Sequence, residues 1–381
     1  MKKISVLILS LLTLMAGAVL SPLLSGISNE YSTVSPVFIK SLVTIPSLLV
    51  FLLPFLLPQK FINFYSNKTI LLIGLLLYSI GGLIPSLFKI SFSSFMFCRI
   101  ILGIGLGLIA PRAVSSINTI YEGKEKEKML GYAGAMNNLG TITAVLFSGF
   151  LGTYNWKNGL WIYWISVIAF ILLLIYFPKE SSKSNHTVVP KNMSLNAGLI
   201  SIYLTLFLIT IIYFIIPTNL SFYISTITDH NITTITGVLM AITSGAGVIS
   251  GVFFSKIYDI LKERISSVLF LSFFLSMLII YFHFNIYFLL IALPISGFSL
   301  GIGIPYFNKK IIQYSKGQNE SKTIEIGTSL LFLGQFVSPF FIDFFRKLLQ
   351  LPISTGTFLI GSLLSLVLLL INSFVNKKDL N

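Results

Sequence analysis

The stretch "RIILGIGLGLIAPR", residues 99–112, opens on an arginine and meets no second charge until Arg112. Counting in fours from Arg99 lands on Gly103, Gly107 and Pro111. A fixed charge, two positions without side chains and a helix breaker thus fall on one slowly drifting stripe of a helix. The G-x-G-x-G inside it does not read as a dinucleotide fingerprint, which needs a strand, a turn, and a helix with an acid about 20 residues on. Here the glycines sit in one apolar run of membrane-spanning length. Small residues at four-residue spacing let backbones approach in lipid, where no hydrophobic force draws helices together. The stripe reads as a packing seam on a transmembrane helix.

The rest of the chain agrees with that setting. Of 381 residues, 55% are hydrophobic and 10% charged, whereas soluble domains carry about 25% charged residues. Mean hydropathy is +0.91. Apolar runs long enough to cross a hydrocarbon core give twelve expected spans. They lie near 4–24, 37–57, 69–89, 93–114, 129–151, 158–178, 196–217, 235–255, 265–284, 286–307, 324–345 and 353–375. They nearly exhaust the sequence and leave no room for a soluble catalytic domain, so no enzyme is expected. The longest polar segment, "PKESSKSNHTVVPKNMSLN" at 178–196, divides the spans six and six. An all-α integral membrane protein is expected, with bundles over 1–178 and 196–381 joined by a cytoplasmic linker, 179–195. The first span follows "MKK" and contains "AGA", as a cleaved signal peptide would. Its apolar core exceeds a signal h-region, and the repeat described next needs it as a partner for the seventh span.

Net charge is +14, but the placement of the charges speaks for a bilayer and against nucleic acid. With the N-terminus inside, twenty of the 26 Lys and Arg fall at inner ends, five at outer ends, and Arg99 alone within the membrane. The positive-inside rule then puts both termini in the cytoplasm. The single cysteine, Cys98, excludes an intrachain disulfide.

A shift of 194 residues superimposes Gly103 on Gly297, Gly107 on Gly301, Pro111 on Pro305, and Leu139-Gly140 on Leu333-Gly334. One or two residues of loop drift also pair Pro22 with Pro217 and Lys60 with Lys256. With six spans in each half, the halves share one orientation and form a parallel repeat about an axis along the membrane normal. Transporters of this construction hold substrate near the midplane, between halves that rock.

"CRIILGIGLGLIAPRAVSSI", "EKMLGYAGAMNNLGTITAVLFSGFLG" and the aromatic-flanked "YNWKNGLWIYW" resemble helices four to six of the major facilitator superfamily. The chain is most similar to its twelve-span drug-efflux branch. Arg99-x-x-x-Gly103-x-Gly105 looks like the family's fourth-helix motif, and "LGQFVSPFF" from Leu333 looks like its eleventh helix. The resemblance implies a secondary transporter that exports small amphipathic organic compounds by alternating access, with protons as the expected coupling ion. A facilitator or importer of a sugar or organic anion is the alternative. Localisation in the plasma membrane of a bacterium, work as a monomer, and no cofactor follow from the same likeness. Two departures bear on coupling. Where the family's loop between helices two and three reads G-x-x-x-D-R-x-G-R-[RK], this chain has "QKFINFYSNK", with Asn63 at the acidic position and Lys68 at the final base. The second half, "SKIYDILKER", keeps Asp259 and Arg264. The fifth-helix antiporter motif is diluted too, with "AVLFSG" placing Val145 where proline is expected. Asp259 is expected to tie its loop to a neighbouring helix end.

An ionisable group at membrane depth faces the bundle interior and has a partner. For Arg99, about six residues or roughly 9 Å below the outer end of its helix, the candidates are Glu30, a carbonyl, or a substrate carboxylate or phosphate. The functional reading implies that Arg99→Ala stops transport in a folded protein. None of the twelve acids lies mid-span, which leaves Glu30, Glu325 and Asp343 as peripheral proton carriers. Uncharged groups remain to line a cavity: Thr13, Ser21, Asn137, Asn138, Tyr203, Tyr213 and Gln335. The "EGKEKEK" run at 122–128 reads as a solvated turn with i,i+4 pairs. Walker and metal-ligand spacings are absent from the sequence.

Overall fold

The computed structural model describes residues 2–57, 65–177, 196–282, 285–315 and 320–378. Among these there are helices and turns and no strand. Helical segments occupy all twelve expected positions. In the first compact unit, Met1–Asn192, α1 is Lys2–Ala18, continued by the turn Ser21–Leu23 and by Leu24–Glu30. There follow α2 (Pro36–Leu56), α3 (Asn67–Leu87), α4 (Phe92–Ile120), α5 (Gly123–Gly152) and α6 (Trp156–Tyr176). The second unit, Met193–Asn381, holds α7 (Ala197–Ile224), α8 (Ile232–Val252), α9 (Phe254–Phe282), α10 (Ile286–Ser315), α11 (Glu320–Leu348) and α12 (Gly356–Lys378). Eleven of the described helices are long and apolar enough to cross a membrane. The remaining one, α5, is helical throughout; its charged first turns, Asn137, Asn138 and its glycines lower its apolarity. The linker 179–195 lies outside the described residues.

Helix starts follow from local chemistry. Ser66, Ser91 and Asn196 cap α3, α4 and α7, each side-chain oxygen accepting from a backbone N–H three residues on. These are donors that no turn of the helix itself can satisfy. Large apolar side chains such as Leu76, Phe97, Ile200 and Leu370 remain exposed, as expected of helices whose outer surface meets lipid tails rather than water.

The repeat in the sequence is a repeat of contacts. In the first unit α1 packs on α5, α2 on α4, and α3 on both α4 and α6. In the second unit α7 packs on α11, α8 on α10, and α9 on both α10 and α12. The glycines mark the crossings. A methyl group at Gly103 would lie 2.9 Å from Pro46 Cα and 3.0 Å from Leu49 Cβ, and one at Gly107 would lie 3.0 Å from Leu53 Cδ2. At the shifted positions, a methyl on Gly297 would strike the Thr243 carbonyl and one on Gly301 the Gly247 carbonyl. Thr243 and Gly247 stand 194 residues after Leu49 and Leu53. Gly140 and Gly334 do the same for α5 on α1, at Leu11, and α11 on α7, at Phe207. In a bilayer such contact is among the few forces that hold helices together.

Candidate functional site

The stripe from Arg99 runs down α4 against a matching stripe on α2. Gly103 meets α2 at Pro46. One turn above, Arg99 reaches Leu42, whose carbonyl oxygen accepts from Nε at 2.8 Å. That carbonyl is available because Pro46, four residues on inside α2, has no N–H to give it. Nη2 donates to the Ala16 carbonyl at 2.7 Å. This oxygen is also free by construction, since α1 ends at Ala18 and the Leu20 N–H turns back to Gly17 instead. Nη1 donates to the Tyr163 hydroxyl at 2.8 Å, and that hydroxyl donates to Ala16 at 2.9 Å. The result is a closed ring of hydrogen bonds among α1, α4 and α6, with a third arm to α2.

Arg99 is 1% exposed and Tyr163 fully buried. Tyr78 stands edge-on to the Tyr163 ring at 5.8 Å and donates to the Leu12 carbonyl at 3.0 Å. A buried guanidinium without partners costs several kcal/mol; here neutral oxygens give each of its three nitrogens one.

Glu30, a sequence-based candidate for that partner, is engaged elsewhere. Its carboxylate accepts from Trp156 Nε1 at 2.6 Å and pairs with Lys157 Nζ at 3.1 Å. The Trp156 ring stacks on Phe95 with centroids 5.6 Å apart. Glu30 therefore joins the end of α1 to the start of α6. Asp343 is also held, by Arg346 at 2.8 Å and Lys347 at 3.2 Å, one turn along α11. Glu325 is exposed on the same helix, with no ion pair among the described residues.

The uncharged candidates separate into structural and open groups. Tyr203 donates to the Thr323 carbonyl at 2.9 Å and so ties α7 to α11. Tyr213 packs edge-on against Phe214 and Phe273. Thr13 bonds back to the Leu9 carbonyl, and Asn138 to the Gly134 carbonyl, each within its own helix. Gln335 is half-buried on α11. Among the described residues, three buried side-chain oxygens have no hydrogen-bond partner: Ser21 Oγ, Asn137 Oδ1 and Thr357 Oγ1.

The loop-motif residues are placed as follows. Asn63 lies outside the described residues. Lys68 donates to the Leu174 and Phe177 carbonyls at 2.8 and 3.0 Å, capping the C-terminal end of α6 where the helix dipole favours a cation. In the second half Asp259 and Arg264 are exposed. The acid that ties α9 to α10 is Glu263, which pairs with Lys310 at 2.5 Å and accepts from the Tyr306 hydroxyl at 3.3 Å. The tie expected of Asp259 thus belongs to a residue four positions later. Pro111 and Pro305 lie inside helices that continue past them, to Ile120 and Ser315.

Sequence reasoning missed Tyr163, which joins Arg99 to Ala16; Trp156 and Lys157, which hold Glu30; and Glu263 as the acid that ties α9 to α10. One signal for the Arg99 site was legible: Pro46 frees a carbonyl on α2 just as Gly103 opens the approach to it.

Among curated relatives, the chain is 33% identical over 121 residues to the aminotriazole resistance protein of Saccharomyces cerevisiae, across 30% of this chain and 22% of that protein. It is 30% identical over 121 residues to the quinolone resistance protein NorA of Staphylococcus aureus, across 31% of each. The chain thus matches less than a third of the length of either relative. Among solved structures, the nucleoside transporter NupG superposes with a TM-score of 0.75 at 13% identity, over 98% of this chain and 99% of that one. A D-xylose-proton symporter superposes with a TM-score of 0.71 at 16% identity, over 96% of both. At such identities the likeness is one of fold. The family model of the Major Facilitator Superfamily matches residues 6–339, and the chain belongs to that superfamily of membrane transporters.

Proposed function

We propose that this transporter exports small amphipathic organic compounds across the plasma membrane of a bacterium by alternating access. The observation that carries the reading is the closure of Arg99. Each of its three nitrogens donates to an acceptor of the chain itself, at Leu42, Tyr163 and Ala16, so it is not held ready for a substrate carboxylate or phosphate. The buried acceptor left without a partner on α5 is the uncharged Asn137. Apolar walls with a few placed polar groups suit amphipathic molecules. The likeness to two resistance proteins supports the same direction of transport. In this reading Asn137 Oδ1 accepts a hydrogen bond from substrate, and protons are exchanged at a peripheral carboxylate.

A second reading, facilitated diffusion, is favoured by the lack of any acid mid-span in the sequence. A susceptibility panel comparing a deletion strain with an overexpresser tests the proposal. Resistance to several amphipathic compounds should rise with expression, and Asn137→Leu should reduce it without lowering the melting temperature. Unchanged resistance throughout, with uptake of an organic anion instead, would overturn it.

A further inference from the structure

We propose that the start of α5 and the start of α1 together form a binding site for the phosphate headgroup of an anionic phospholipid. A cavity of about 460 Å³ is lined by Lys3, Lys124, Glu125, Lys128, Met129 and Tyr132. The charges converge from two helices: Lys3 from the first turn of α1, and Lys124 and Lys128 one turn apart on α5. Lys3 Nζ pairs with Glu125 Oε1 at 2.6 Å, and the hydrogen bond and charge of Glu125 raise the Lys3 pKa. That pair uses the one acid of the cavity. No ion pair among the described residues engages Lys124 or Lys128. The positive end of the 30-residue helix α5 adds to their field, because its first N–H groups lack partners within the helix.

The remaining wall decides between a dissolved anion and a lipid. Below the lysines stand the buried Met129 and the exposed Tyr132, at the point where α5 turns from charged to apolar. An ammonium pair above an aromatic and a thioether matches a phosphodiester above its glycerol and acyl chains, and aromatic residues favour this interfacial depth. Basic pockets at the inner ends of transmembrane helices hold anionic headgroups, each Lys near the surface contributing about 1 kcal/mol. The run at 122–128, read from the sequence as a solvated turn and helical from Gly123, is then part of a binding site. The inference takes the inner placement of these ends from the distribution of Lys and Arg in the sequence, but headgroup binding requires no transport, so it can fail or hold independently of the export reading.

The full chain in nanodiscs of phosphatidylcholine and phosphatidylglycerol supplies the test, with retained lipid read by native mass spectrometry. Wild type should retain phosphatidylglycerol in preference, and Lys124→Ala and Lys128→Ala should each reduce the preference about fivefold, equivalent to ~1 kcal/mol. The Lys124→Gln/Lys128→Gln pair, which keeps much of both stems, should lose it while melting as wild type in pure phosphatidylcholine. Lys89→Ala, at an exposed lysine in the loop between α3 and α4, should leave it unchanged. Equal retention of the two lipids by wild type, or preference surviving in the double variant, would overturn the proposal. Inorganic phosphate at millimolar concentration that displaces the lipid and stabilises the protein equally would assign the cavity to a soluble anion instead.

Discussion

Arg99 and Pro46 act on one atom. The Leu42 carbonyl that Arg99 Nε reaches at 2.8 Å is the one that Pro46, lacking an N–H, cannot bond. The second half lacks both members of the pair: 194 residues on, Leu293 stands for Arg99 and Met240 for Pro46. The glycine seam is kept there without the charge, so the packing does not require the arginine. The arginine instead fastens α1, α2 and α6 to α4 by acceptors that a proline and a helix end set free.

Arg99→Ala is therefore expected to lower stability as well as transport. It breaks three hydrogen bonds; Ala16 still accepts from Tyr163, but the Leu42 carbonyl loses its donor, and a buried group left unsatisfied costs ~1–3 kcal/mol. Arg99→Lys should recover part of the loss, because an ammonium lacks the planar fork. Melting of the detergent-purified variants decides the point. Wild-type melting with transport abolished would return Arg99 to the substrate.

Pro46→Ala restores an N–H that competes for Leu42. Its effect on stability should not add to that of Arg99→Lys, and a double-mutant cycle should show coupling of ~0.5 kcal/mol or more. Strict additivity would mean that the proline and the arginine are unrelated.

Glycines on one helix should differ in tolerance. A methyl on Gly140 would strike the Leu11 carbonyl, whereas one on Gly131 or Gly134 meets nothing within 4 Å. Gly140→Ala should impair expression and melting, while Gly131→Ala should be neutral or stabilise by ~0.5–1 kcal/mol through helix propensity. Yields from fluorescence-detected gel filtration compare the two variants with wild type directly.

Of the acids considered as proton carriers, Glu30 and Asp343 are held by cations and Glu325 is exposed without an ion pair among the described residues. Substrate-driven pH change in vesicles should fail in Glu325→Gln at unchanged melting. Glu30→Gln should instead destabilise the join between α1 and α6. Persistence of the pH change in Glu325→Gln would remove that residue from coupling, and its absence in wild type would favour facilitated diffusion.

Glu263, rather than Asp259, should matter for the join between α9 and α10. Loss of the Lys310 pair and the Tyr306 hydrogen bond should make Glu263→Gln slower in transport than Asp259→Asn at matched expression. Equal rates would leave Glu263 an ordinary surface charge.

Orientation can be read by thiol labelling, since the only cysteine, Cys98, is buried. An impermeant reagent on intact cells should label Asp229→Cys and spare Ser182→Cys until lysis. The reverse pattern would invert the topology.

The sequence by itself determined the membrane setting, the number and position of the helices, and the repeat. Each of these is carried by local properties: run length against bilayer thickness, and glycine where α4 meets α2, α10 meets α8, α5 meets α1 and α11 meets α7. It also located Arg99 as a buried charge in need of a partner. Tertiary structure alone decided what that partner was. A carbonyl oxygen has no letter in a sequence, so the acceptors at Ala16 and Leu42 depend on where α1 ends, where α2 carries its proline, and how closely Gly103 lets α4 approach. The same holds for Glu30 and Glu263. Their charges were plain, but Trp156, Lys157, Lys310 and Tyr306 reach them only after distant segments pack, and hydrogen bonds act over about 3 Å.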